Sequence, residues 1–235
     1  MRRDSEDTFE PVADPNQARA HRLGWSDQGL IEAFEPMVSD ARRERLLEVL
    51  SGRLLSVTVL LDAPHDPHNG AAVLRTCEAL GIQSVHVLPR VEEFQASRVV
   101  TKGSDRWVDI VRHPSADAAL RSLRALDYLL VGSHPQGELL PSDLCELPRV
   151  AIVLGNEHGG ICAELERAVD RRVRVPMRGF VESLNLSVSA AVLLAQATQG
   201  RSGDLSADER KRVHARWLLQ SVPRSGDILE ALPPR

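Results

Sequence analysis

Apolar and polar positions along this chain fall into two rhythms. Short β-branched or apolar runs at 57–61, 84–88, 107–111, 128–132 and 150–154 read as strands, with a briefer one at 173–175. Between them lie stretches of helical period: 69–80, closed by Gly81; 115–126, opened by Ser115; and 188–197. Strands alternating with helices predict an α/β unit, a mostly parallel sheet with helices on both faces. Ser39 opens an earlier helix to about residue 50. Its Leu46, Leu47, Val49 and Leu50 lie on one side and its arginines largely on the other. Beyond a link at 200–203, Ser206-Ala207-Asp208-Glu209 is a capping box for a helix to about residue 222. Residues 1–37 have scattered apolar positions (Phe9, Leu23, Trp25, Leu30, Ile31, Phe34) without sustained period, broken by Pro11, Pro15 and Pro36. The chain thus divides into an acidic, loosely packed extension at 1–37, the α/β unit at 38–200 with its leading helix at 39–53, and a C-terminal helix and tail at 201–235.

Composition narrows the class. A chain of 235 residues, 43% apolar, buries a real core as one domain with extensions. Its longest apolar stretches, such as 188–195, are too short to span a bilayer, and the N-terminus lacks a secretory apolar core. Cys77, Cys145 and Cys162 form no Cys-x-x-Cys, which fits a reduced, cytoplasmic protein. Residues 1–37 carry four arginines against eight carboxylates, which accounts for the whole net charge of −4. The remainder is neutral overall but has basic clusters at Arg42, Arg43 and Arg45 and at Arg171, Arg172, Arg174 and Arg178. Local clusters of this kind are what phosphates sense, although a solvated surface explains them equally well.

The chemistry concentrates between 150 and 195. The run at 150–154 ends in Gly155-Asn156-Glu157-His158-Gly159-Gly160, and the run at 173–175 ends in Pro176-Met177-Arg178-Gly179. Glycine-bearing loops beyond strand carboxyl ends are where open parallel sheets bind ligands. Ser183-Leu184-Asn185-Leu186-Ser187 then opens the apolar helix. The first strand runs into Asp62-Ala63-Pro64-His65, with no Gly-x-Gly turn, which disfavours a dinucleotide site. His65 and His68 lack a third ligand, so no metal is expected. Ser183 lacks a nucleophile elbow, so it is not a hydrolase serine. His158 reads as a tolerated loop residue.

LGNEHGGI, VPMRGFVESLNLSVSAA and the pair Asn69…Arg75 in HNGAAVLRTCEALG resemble, in order, three motifs of the SpoU or TrmH branch of the knotted RNA methyltransferases. The resemblance runs from about residue 39 to 219. It implies methyl transfer from S-adenosylmethionine to a ribose 2′-hydroxyl of RNA, a C-terminal trefoil knot, and a homodimer with its active sites near the subunit interface. It places the donor among Ser133, Leu154, Gly155, Val175, Met177 and Leu184. It assigns the catalytic site to Arg75, Asn69, Glu157, Ser183 and Asn185. Arg75 is proposed in the family as the base. A guanidinium holds its proton too tightly for easy base chemistry, and gripping the neighbouring phosphate is the simpler role. Asn185 reads equally as a helix cap. Within the branch, the short arginine-bearing helix resembles the tRNA enzymes that methylate the D-loop guanosine at position 18, with Arg42, Arg45 and Arg53 at RNA-contact positions. A ribosomal-RNA substrate and a non-catalytic RNA-binding factor are the alternatives.

Overall fold

In the computed structural model, which describes residues 15–64, 66–89, 103, 106–156 and 159–234, the apolar runs pair as six strands. These are β1 (Val57–Asp62), β2 (Ser84–Leu88), β3 (Asp109–Arg112), β4 (Leu129–Ser133), β5 (Val150–Leu154) and β6 (Arg171–Val173). All pair in parallel, in the spatial order β3-β2-β1-β5-β4-β6. Every residue of β1, β2 and β5 is buried, as a sheet covered on both faces requires.

Alternation along the strands sorts the core into two layers. Val57, Val59 and Leu61 face α4 (Pro67–Ala79) and α7 (Leu186–Thr198), packing with Val73, Leu74, Leu193 and Leu194. Leu60, Leu130 and Val153 face the opposite way, onto Leu120 and Leu123 of α5 (Ala116–Ala125) and Leu165 of α6 (Ala163–Ala168). β2 contributes His86 to its buried face, where Nδ1 lies 2.8 Å from Nε2 of His113. Burial, with His113 adding to it, pushes the His86 pKa down to about 3. Burial pushes His113 down to about 4. The pair is therefore neutral near pH 7, one ring donating to the other.

A helical layer closes the amino ends of β1, β2 and β3. It is assembled from α1 (Pro15–Arg22), α2 (Asp27–Phe34), α3 (Asp40–Ser51), α8 (Ala207–Ser221) and α9 (Ser225–Ala231). Trp25, Leu30, Phe34, Leu46, Leu50, Val213, Trp217 and Leu218 form its core. Segment 15–37 is therefore not a loosely packed extension. Ser26 caps α2 by accepting from Gly29 N at 2.9 Å, and Gln17 Nε2 donates to the carbonyl of Arg212 at 2.9 Å. Polar anchors join this layer to the sheet. The Asp204 carboxylate accepts from Leu55 N (2.5 Å) and Ser56 N (3.0 Å), just ahead of β1. Asp109, at the start of β3 and 2% exposed, is paired with Arg216 and, at 2.8 Å, with Arg212. Burial alone would raise the Asp109 carboxyl; the two guanidinium groups outweigh it and hold it below its ordinary value.

Several expected boundaries move. The helix expected from Asn69 begins at Pro67, because Asp66 caps it by accepting from His68 N at 2.8 Å and Pro67 suits the first helical position. The strand expected at 173–175 lies at Arg171–Val173, and that expected at 107–111 lies at Asp109–Arg112. Trp107 instead packs edge-on against Trp217, with ring centroids 5.8 Å apart. The Ser206–Glu209 capping box forms as expected, with Ser206 N donating to the Glu209 carboxylate at 2.7 Å. Among the described residues no helix is long and apolar enough to cross a membrane.

Candidate active site

Beyond the carboxyl ends of β4, β5 and β6 the chain leaves a cleft of about 520 Å³. This lies within the ordinary range for small-molecule sites. All six residues expected to hold the methyl donor line it: Ser133, Leu154, Gly155, Val175, Met177 and Leu184. Ser183 and Asn185 line it too. Each strand delivers its part for the same reason: a buried run ends and the following loop turns over the sheet edge.

The wall after β5 depends on small residues. Asn156 N donates to Gly160 O at 3.0 Å and Gly160 N returns the bond to Asn156 O at 3.1 Å, closing a tight hairpin. Gly159 N donates to Asn156 Oδ1 at 2.7 Å, and Gly160 takes φ +64°. Gly155 packs directly beneath this hairpin. A Cβ on it would stand 2.0 Å from the carbonyl carbon of Gly160 and 2.2 Å from the nitrogen of Ile161. Only glycine at 155 lets the backbone of Gly160 and Ile161 pack this closely, so the loop can fold back at the rim of the cleft. Leu154, Val175, Met177 and Leu184 supply apolar surface for a flat ring system, and Glu182 brings a carboxylate to the lining. Such a cradle fits S-adenosylmethionine, whose adenine is flat and apolar on its faces and whose other end is cationic.

Asn185 forms the helix cap that was one of its two readings, and it also lines the cleft. Its Oδ1 accepts from Ser187 N at 2.8 Å, capping α7, while its Nδ2 donates to Asn69 Oδ1 at 3.1 Å. That bond ties the loop before α7 to the first turn of α4. Arg75 stands six residues along α4, about 9 Å farther by helical rise. It is exposed, outside the residues lining the cleft, and makes no ion pair among the described residues. Its guanidinium is available to an incoming anion. Glu157 and His158 lie outside the described residues, as does His65.

The three arginines expected at RNA border one smaller pocket beside Trp107 and Trp217 but differ in exposure. Arg45 is exposed and paired with Glu48 at 2.6 Å. Arg42 is half-buried: its guanidinium lies 5.1 Å from the Trp107 ring centroid and donates to Ser221 Oγ at 3.2 Å. Arg53 is 0% exposed. It stacks 5.0 Å from the Trp217 centroid, and it reaches the Glu78 carboxylate at 3.3 Å and the Ile82 carbonyl at 3.4 Å. Arg53 is thus a buried residue joining the helical layer to the sheet, at the floor of that pocket. Of the second basic cluster, Arg171 is paired with Glu138 (2.7 Å) and Arg172 with Glu166 (2.8 Å), while Arg174 donates to the Gly137 carbonyl. Arg178 is exposed on the loop after β6.

His134, Asn156 and Gly160 also line the cleft, on loops where the sequence puts the donor, whereas Pro135, Leu186 and Ser189 line it from outside those loops. The signal for the first three was present, since His134 follows Ser133 off β4 and Asn156 sits inside the glycine loop.

With this geometry in view, the model of the SpoU rRNA Methylase family matches residues 56–195. The chain belongs to this family. The matched span begins just before β1 and ends within α7, so it covers the sheet and the cleft and leaves out the helical layer. Among SpoU relatives, the tRNA (guanosine(18)-2'-O)-methyltransferase of Thermus thermophilus is 34% identical over 164 residues, covering 69% of this chain and 84% of that protein. The crystal structure of the A. aeolicus TrmH/SpoU tRNA modifying enzyme superposes with a TM-score of 0.71 at 25% identity, covering 79% of this chain and 98% of that one. The SpoU methyltransferase AviRb of Streptomyces viridochromogenes, solved with the cofactor AdoMet, superposes at 0.57 with 26% identity, over 63% of this chain and 60% of that one.

Proposed function

We propose that this protein methylates the ribose 2′-hydroxyl of guanosine 18 in tRNA, using S-adenosylmethionine. The observation that carries the reading is that two of the three motifs line one cleft while the first is bonded to its rim through Asn185 and Asn69. The donor residues line that cleft, and Asn185 joins it to the helix that holds Asn69 and Arg75.

S-adenosylmethionine supplies an electrophilic methyl on a sulfonium. In the transfer the 2′-oxygen would bond to that carbon as the carbon–sulfur bond breaks, the electron pair staying on sulfur as S-adenosylhomocysteine and the hydroxyl proton passing to water. Leu154, Val175, Met177 and Leu184 would hold the adenine side of the donor, beside the loop that Gly155 allows to fold back. Arg75 grips the phosphate beside the target ribose with its planar fork and so aims the hydroxyl. Asn69 and Asn185 keep that helix in register with the cleft. Positioning is the main source of rate in an in-line transfer of this kind.

We further propose that the protein acts in the cytoplasm as a homodimer, with residues 38–200 as the transferase unit. The flanking helices would present Arg42 and Arg45 to the RNA backbone. A trefoil knot is consistent with the path of the chain, which leaves the edge strand β6 and returns to pack α7 against β1 and β5.

The deciding experiment offers labelled donor with bulk tRNA and, separately, with ribosomal RNA. Label in tRNA, mapped to the 2′-oxygen of guanosine 18, is expected. Label in ribosomal RNA alone would move the substrate. Label in neither, with donor bound, would make the protein an RNA-binding factor.

A further inference from the structure

Asp62 ends β1 and is 0% exposed, yet none of the roles above uses it. The β1–β5 ladder closes with Leu61 beside Leu154, so Asp62 stands level with Gly155, where the chain leaves β5 for the glycine hairpin. Its Oδ2 accepts from the backbone N–H of Cys162 at 2.6 Å. Cys162 follows that hairpin and precedes α6, whose start has no side-chain cap of its own from Cys162. The hairpin is thus held at both feet. At one foot Gly155 lies against Gly160 and Ile161; at the other the Asp62 carboxylate grips Cys162. A buried carboxylate in a charge-assisted bond of this length makes a stiff tether.

We infer that Asp62 is a positioning residue for the methyl donor: it fixes the Leu154–Asn156 wall of the cleft from the neighbouring strand, without touching the ligand. The inference rests on the cleft being the donor site. Leu154, Gly155 and Asn156 form that wall, and their place over the sheet depends on where the hairpin's far end is anchored. Removing the anchor lets the wall drift from the adenine side while the three strands beneath stay paired. Donor affinity falls, and the RNA-facing helix α4 is untouched.

The test measures the dissociation constant of S-adenosylhomocysteine by calorimetry on the full-length protein, with thermal midpoints recorded alongside. Asp62→Ala should weaken binding about tenfold, the loss of one charge-assisted bond, with KM for tRNA unchanged. Asp62→Asn keeps an acceptor oxygen for Cys162 and should recover most of the affinity. Cys162→Pro approaches the same bond from the donor side. Cys162 has φ −64°, which proline accepts, so this variant removes the N–H, together with the thiol, without changing that φ, and should weaken binding to a similar degree. In the Asp62→Ala, Cys162→Pro double variant the two losses should not add. Unchanged affinity in both single variants, or additive losses, overturns the inference. Failure of the wild-type protein to bind S-adenosylhomocysteine at all overturns instead the assignment of the cleft.

Discussion

At the carboxyl ends of β4, β5 and β6 the chain works with backbone and small residues. At the amino ends of β1, β2 and β3 it works with its largest side chains. The cleft is shaped by Gly155 under Gly160, by a hairpin closed on its own amides, and by two asparagines bonded across 3.1 Å. The helical layer is keyed by Trp217, with Arg53 stacked 5.0 Å from its ring and Trp107 edge-on at 5.8 Å. One end is intolerant of added atoms, the other of removed ones. A ligand site needs room that the fold must not fill, whereas a joint between layers needs volume and buried charges matched in pairs.

The largest expected effect tests the keyed end. Trp217→Ala should cost about 3–5 kcal/mol of stability, since it opens a cavity and unseats Arg53. Below the new melting midpoint, affinity for S-adenosylhomocysteine should be unchanged. A matching fall in donor affinity would mean that the two ends are coupled and the contrast is false. At the other end, Arg75→Ala should lower methylation about 10²-fold or more while sparing donor binding. Arg75→Lys sharpens that result. If the planar grip dominates, lysine stays nearly as inactive at every pH; if proton removal dominates, activity returns as pH rises toward about 10.4. Substantial activity in Arg75→Ala would remove this residue from the mechanism.

Adding atoms should be smaller but diagnostic. Gly155→Ala forces the hairpin outward and should cost about 1–3 kcal/mol, with donor affinity falling alongside, in contrast to Trp217→Ala. The His86–His113 pair probes the sheet between the two ends. Both pKa values lie below the usual 6.5, at about 3 and about 4, so the unfolded chain binds more protons than the folded one at mildly acidic pH. Stability contributed by the neutral pair is full above 6.5 and is lost as pH falls toward 4. Melting midpoints between pH 7 and 5 should drop, and His113→Asn should flatten that slope. The smallest effect is expected at the surface. Replacing Arg42 and Arg45 together by Ala should raise KM for tRNA severalfold and flatten its salt dependence, with kcat little changed. An unchanged salt slope would shift the contact to exposed Arg178.

The contrast also explains what could be read from the sequence. The cleft was legible because its parts are written locally: a buried run, then glycines, at 154–160, and a cap before an apolar helix at 185–188. No long-range knowledge is needed to see that glycines at a strand end mark a tight turn there. The helical layer was not legible, because each piece is incomplete alone. Trp25, Leu30 and Phe34 look scattered until α8, nearly two hundred residues away, supplies the surface they cover. Arg53 looked like part of a basic face because an arginine's charge shows in sequence, whereas the tryptophan and carboxylate that bury it do not. Helix α6 was missed as well, its Ala163-Glu-Leu-Glu-Arg-Ala too short for a period to emerge. Strand ends moved by one or two residues where a turn, as at Trp107, gave a side chain a better place to pack.

The mixed origin of the helical layer has a consequence for how the protein is made. Helices α1 to α3 leave the ribosome first, but their partner α8 ends only at Ser221. At about 5–20 residues per second, roughly ten to forty seconds separate the two. Over that interval Trp25 and Phe34 have no lid. The apolar faces of these helices stay uncovered on the nascent chain while the sheet behind them is laid down.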